Sequence, residues 1–240
     1  MLARNNVVPV VSDTQPVSMV SQPHYSLSES NSLVLELLDT SSCLVLLPQV
    51  TAFEDYVFGP DFAICSDEMK TWADSGSWFC AAVSGQAVVG RQQIFSLLSV
   101  LVTTAESRDR LMAGEIAESE LQPWTHHPLN DQPVLYLASV ASAASGHLAP
   151  MYESLARDLS IFTETWETEF GNGFSIASGP AGYSHMARNG FRAVDAKYRG
   201  YYPMMIIDRG SAATPFWQRC LCSQSTAPGH VRSSTITVPG

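Results

Sequence analysis

Pro133–Asp208 opens PVLYLASV (133–140), continues ASAASGHLAP (141–150) and MYESLARDLSIF (151–162), and closes through GFSIASG (173–179), PAGYSHMARNGF (180–191) and PMMIID (203–208). The largely apolar PVLYLASV has the length of a buried strand, and the next run, His147 and Leu148 apart, is of small or turn-forming residues. MYESLARDLSIF then carries apolar positions at helical spacing. GFSIASG is a second strand, PAGYSHMARNGF a second helix, and PMMIID a last strand. A strand that delivers small residues to a helix start holds phosphate or carbonyl groups well, because small side chains let the backbone approach and the first-turn N–H groups are unpaired.

Upstream, CLVLLPQV (43–50) reads as a first strand. Phe53, Tyr56 and Val57 recur at helical spacing in TAFEDYVFG, and Gly59-Pro60 ends that helix. Ser66 is placed to cap a second helix, SDEMKTWAD, whose first turn carries Asp67 and Glu68 as the helix dipole prefers. WFCAAV, a turn at Ser84-Gly85, and QAVVGRQQIFSLLSVLV read as a β-hairpin, with Gly90 a candidate bulge. Residues 104–121 are charged and helix-like, with a broken apolar stripe of Leu111, Ile116 and Leu121 weakened by Gly114. This order predicts an α/β (α+β) fold with a mixed sheet and helices on its faces.

The composition restricts the function. The chain has 240 residues and a formal net charge of -10. That charge argues against a nucleic-acid surface or an anionic membrane, both of which want clustered Lys and Arg. The five cysteines (43, 65, 80, 220 and 222) are odd in number and irregularly spaced. Cys43, Cys65 and Cys80 sit in or beside apolar runs, which predicts buried reduced thiols. The Cys220-x-Cys222 pair lacks the further ligands of a zinc site, so no metal is expected. The start of the sequence has no continuous apolar core of a secretory signal, and Leu33–Val50 is too polar to span a bilayer. A soluble, cytoplasmic protein is therefore expected, with a flexible arm over 1–31, a folded domain over 32–210 and a flexible tail over 211–240. FWQRCLC is the one docking patch expected in that tail.

The hairpin WFCAAVSGQAVVG, then LYLASV with SGHLAPMYESLARDL, then SHMARNGF with two closing strands, together resemble the GNAT superfamily of N-acyltransferases over about residues 42–208. The resemblance implies a mostly antiparallel central sheet with one strand splayed from its neighbour. It implies acetyl-CoA or another acyl-CoA as co-substrate, or an acyl carrier protein as donor, and a small-molecule or protein amine as acceptor. A homodimer is compatible with it. The thioester carbonyl would take a backbone N–H at Val140, beside Ser139, and the pyrophosphate would sit over Ser145, Gly146, His147, Leu148 and Ala149.

Two departures stand out. In the family's Q/R-x-x-G-x-G/A loop, Ala143 holds the first position and Leu148 the third, so only Gly146 matches. Where members carry a proton-donating Tyr four residues before the Gly of the GF pair, this chain has Met186. Tyr183, one turn earlier, is the substitute candidate, with His185 adjacent but expected to point elsewhere.

An amine acceptor must also lose a proton. His126 and His127 in PWTHHPLN are the candidate bases, or else surface residues; Glu115, Glu118 and Glu120 read as a solvated face. Trp124 and Tyr136 are pocket or core. Arg188, Arg192, Lys197 and Arg199 are phosphate contacts or an exposed basic edge, and Tyr198, Tyr201 and Tyr202 have the alternation of a packed hairpin face. Cys80 and Ser139 stand in no nucleophile elbow. The expected function is N-acyl transfer to an amine by direct attack, the alternative being an inactive ligand-binding or interaction module on the same fold.

Overall fold

The structure, a computed structural model, describes residues 35–59, 64–86, 92–126, 132–142 and 145–221. In chain order the described elements are β1 (Leu35–Leu38), α1 (Thr40–Val45), α2 (Leu47–Phe58), α3 (Ser66–Asp74), β2 (Trp78–Gln86), β3 (Gln92–Thr103), α4 (Ala105–Met112), β4 (Val134–Ser142), α5 (Leu148–Trp166), β5 (Asn172–Ile176), α6 (Pro180–Arg188), β6 (Arg192–Tyr198), β7 (Tyr202–Asp208) and α7 (Pro215–Leu221). The seven strands make one sheet in the order β1-β2-β3-β4-β5-β7-β6. Every neighbouring pair is antiparallel except β4 and β5, which are parallel.

Both faces of the sheet are covered. On one, Leu97, Leu101, Tyr136 and Phe174 pack with Met69 and Trp72 of α3 and Leu111 of α4. On the other, Leu98, Val100 and Leu135 pack with Met151, Leu155, Leu159 and Phe162 of α5. Strands buried on both faces read as continuous apolar runs, as PVLYLASV does.

Several local expectations change. CLVLLPQV is helical, not a strand: Asp39 caps α1 by accepting from the Ser42 N–H (2.9 Å), and Pro48 lies in the first turn of α2, where its missing N–H costs nothing. The edge-strand position is taken by Leu35–Leu38 instead. Ser84 and Gly85 pair within β2 rather than turning, opposite Ile94 and Gln93. Ser66 opens α3 but does not cap it; the Glu68 carboxylate reaches back to the Cys65 N–H at 2.9 Å. Cys65 is exposed, whereas Cys43 and Cys80 are buried as expected. Residues 104–121 form the short α4 and a separate 3-10 turn, Glu118–Glu120, with Gly114 (φ 74) between them.

Part of the stretch read as a tail is core. In α7, Phe216, Trp217 and Leu221 are buried against α5 and β7 residues, so FWQRCLC is the last helix of the domain. The apolar triplet docks because the sheet face beside α5 would otherwise be open to water. Residues 1–31 and 222–240, Cys222 among them, lie outside the described residues.

The GF pair has a steric explanation. Gly190 adopts φ +98, and a Cβ there would lie 2.0 Å from the Ser211 carbonyl oxygen and 3.0 Å from the Ala213 nitrogen. Only glycine lets the chain leave α6 under that crossing segment.

Candidate functional site

The ladder between β4 and β5 is short. It holds only Leu135↔Gly173 and Tyr136↔Phe174, although β4 runs on to Ser142 beside β3, and β5 to Ile176 beside β7. One further tie, from Ser175 Oγ to the Leu137 carbonyl (2.8 Å), closes the junction. Beyond it the two strands diverge, and a cleft of about 340 Å³ opens between them.

The cleft meets both faces of the sheet. Phe58, Glu118, Tyr136 and Ile176 line it from the α2–α4 side; Val140, Leu148, His185 and Met186 line it from the side of α5 and α6. Residues of both faces thus meet in one cleft.

At the α2–α4 end stands a buried acid. The Tyr136 hydroxyl donates to Glu118 Oε1, and the Glu118 N–H points to the Tyr198 hydroxyl at 3.4 Å. Burial pushes the Glu118 carboxyl up to about 8; the Tyr136 hydrogen bond and distant Arg199 oppose this, and the nearby charges of Glu54 and Glu68 reinforce it. Burial beside that acid also raises the Tyr136 phenol well above its ordinary value, so it stays a donor. Of the three glutamates read as a solvated face, Glu115 pairs loosely with Arg110 (3.7 Å) and Glu120 caps its own turn through the Ala117 N–H (2.7 Å). Glu118 does not belong with them. The 3-10 turn, anchored by buried Leu121, rolls it under the sheet.

At the other end lies the start of α5. No side chain caps it, and a Cβ on Gly146 would meet nothing within 4 Å. The turn that leads into this 19-residue helix therefore sits beside open space at Gly146, which suits a phosphate, although Pro150 in the first turn offers no N–H. His147 turns toward the sheet: its Nδ1 is 2.7 Å from Ser96 Oγ, which is 3.0 Å from Ser142 Oγ. Leu148 lines the cleft, and Ala149 is exposed beside it. Gly146 and Ser145 belong to the 3-10 turn that leads into α5. Ala143 lies outside the described residues.

The remaining candidates divide. Tyr183 is exposed and does not line this cleft, whereas His185 does. Its Nε2 is 2.8 Å from the Tyr152 hydroxyl, and the two rings stack with planes 6° apart. Asn189 fixes the tautomer: its Oδ1 accepts from Thr214 Oγ1 (3.0 Å) and its Nδ2 donates to the His185 carbonyl (2.9 Å), so the same Nδ2, 3.3 Å from Nε2, requires that nitrogen to be an acceptor. Burial, helped by Arg188, holds the imidazole below its ordinary value and hence neutral.

His126 is exposed, stacked at 5.0 Å on Trp166, and does not border the cleft; His127 lies outside the described residues. Trp124 is core and Tyr136 is both core and cleft wall. Of the four basic residues, Arg188 lines the cleft and Arg192 pairs with Asp208 at 3.2 Å. Ser139 is buried with its hydroxyl turned away from the cleft to Glu54 of α2. Among the described residues, no group of three His, Cys, Asp or Glu side chains is placed to hold a metal ion. No described helix is long and apolar enough to cross a membrane.

No protein-family model and no curated protein sequence matches the chain. Solved structures similar to it include FeeM, an N-acyl amino acid synthase from uncultured soil microbes (14% identity, TM-score 0.44, covering 80% of this chain and 96% of that one). Two others are the AHL synthase LasI (13%, 0.35, 74% and 90%) and an acyl-CoA N-acyltransferase from Pseudomonas aeruginosa (16%, 0.36, 73% and 98%). These likenesses are slight, and the fold is read from the sheet itself: a mostly antiparallel sheet whose one parallel pair splays where a strand feeds a helix. The fold is GNAT-like.

Proposed function

We propose that this GNAT-like chain is an N-acyltransferase that moves an acyl group from acyl-CoA, or an acyl carrier protein, to an amine. The observation that carries the reading is the cleft at the β4–β5 splay, with a buried carboxyl at one end and an uncapped helix start at the other. The phosphates would lie over Ser145–Ala149, and the thioester carbonyl would take the backbone N–H of Val140.

The amine nitrogen attacks the thioester carbonyl carbon, forming the C–N bond as the C–S bond breaks. The amine proton passes to the Glu118 carboxylate, and the leaving thiolate takes a proton from solvent or from a cleft group. The products are an amide and the free thiol. Most of the rate would come from orientation and from the polarised carbonyl. Glu118 replaces His126 as the base because it borders the cleft and His126 does not; His127 lies outside the described residues. Tyr183 remains a proton-donor candidate only if a ligand draws the exposed end of α6 inward.

A second reading, a ligand-binding module without turnover, is favoured by one observation: Met186 is buried at the cleft where a proton donor would stand. Calorimetric titration with acetyl-CoA and longer acyl-CoAs, followed by a panel of amines, separates the two. Binding with product supports the transferase, binding without product the module, and no binding removes the donor site. Gly146→Leu should abolish acyl-CoA binding while the protein folds normally, since its side chain would project into open space. Unchanged affinity would move the phosphates elsewhere.

A further inference from the structure

We infer that Glu54 is a positioning residue for the acyl donor, holding the bulge in β4 that presents Val140 to the cleft. The role in donor binding rests on the acyltransferase reading; the geometry does not.

Between the rungs Ser99↔Ser139 and Val100↔Leu137, β4 has one residue more than β3. That residue is Ala138. Side chains alternate along a strand, so one inserted residue exchanges the faces of everything beyond it. Tyr136 and Ser139 consequently share the α2–α4 face, while Leu137 and Val140 share the face of α5. Without the bulge, Val140 would lie beneath α2 and leave the cleft wall it now forms.

A bulge leaves a residue unpaired and needs local support. Glu54 supplies it. Oε1 accepts from Ser139 Oγ and Oε2 accepts from the Ile64 N–H at 3.1 Å. Glu54 is 1% exposed, one turn before Phe58 on α2. An apolar side chain would be the cheaper filling for such a site, since a buried carboxyl is costly unless each oxygen is bonded. Here both are, and one of the bonds reaches the residue that follows the bulge. Burial pushes this carboxyl up to about 7, and either protonation state keeps an acceptor for Ser139.

The test uses Ser139→Ala, Glu54→Ala and Glu54→Gln in the full chain. Two readouts are needed: the 13C resonance of carbonyl-labelled acetyl- or octanoyl-CoA bound to the protein, and amide hydrogen exchange over residues 138–142. Ser139→Ala and Glu54→Ala should lose the downfield carbonyl shift and exchange about tenfold faster in that segment. Their calorimetric affinity for CoA itself should stay within about twofold, because the phosphates are held elsewhere. Glu54→Gln, whose oxygen can accept from the Ile64 N–H while its Nε2 donates to Ser139 Oγ, should restore the shift. An unchanged carbonyl shift in Ser139→Ala and Glu54→Ala overturns the proposal. If the wild-type protein binds neither CoA nor acyl-CoA, the acyltransferase reading fails by itself. Hydrogen exchange then decides the rest: unchanged rates overturn the bulge support, and faster exchange confined to 138–142 upholds it.

Discussion

The Tyr136 phenol donates to the Glu118 carboxyl at the α2–α4 end of the cleft, and both groups are buried beneath the sheet. A carboxyl raised in this way is a poor structural ion but a competent base near neutral pH.

Replacing Glu118 by Gln keeps an acceptor for Tyr136 and removes the base. The expected result is a fall in kcat of roughly 10²- to 10⁴-fold with little change in acyl-CoA affinity. In the wild type, kcat should rise with pH through about 8, since the carboxylate is the active form. Steady-state kinetics of both proteins across pH 6 to 9.5 (about that range spans the titration) check this. A Gln variant with full activity would remove Glu118 from the mechanism.

Stability should also depend on pH, in a stated direction. Burial, the first cause in each, pushes the Glu54 and Glu118 carboxyls of the folded protein up to about 7 and about 8 from an ordinary 4.5. The folded state therefore holds more protons than the unfolded one between these limits, so stability falls as pH rises. Their joint contribution is fully present below about 4.5, declines through the window and levels off above about 8. Each group's share is of the order of a few kcal/mol. Urea midpoints at several pH values, compared with the Glu54→Gln/Glu118→Gln protein, measure it. The double variant should show the flatter profile; equal slopes would contradict the assignment.

Gly190→Ala should destabilise the domain by about 2 kcal/mol or more, because positive φ and the contact with Ser211 act together. Gly200, at φ +81 where a Cβ would meet nothing within 4 Å, gives the comparison: Gly200→Ala should cost about 1 kcal/mol. Chemical denaturation distinguishes them, and equal losses would mean that the crossing segment yields.

Much of the fold was legible along the chain. PVLYLASV, GFSIASG and PMMIID carry apolar runs of strand length bounded by turn residues, and MYESLARDL has the period of a helix on a sheet. CLVLLPQV was misread because a short buried helix and a strand share such an apolar run; Asp39 and Pro48 are the local helix-start signals there. FWQRCLC was misplaced because docking depends on what the rest of the chain leaves uncovered.

The site was less legible, for a reason that Glu118 and Glu54 make plain. Glu118 lies among charged residues and Glu54 on a helix with exposed neighbours, so nothing local marks either as buried. Sequence alone determined the strands and main helices over 133–208 and the turn at 145–147, because these follow from local periodicity and backbone sterics. Only the tertiary structure decided which side chains face the cleft. The bulge at Ala138 reverses the faces of β4, and the end of the β4–β5 ladder opens the sheet. Burial by distant segments then raises two carboxyls whose neighbours in sequence remain in water.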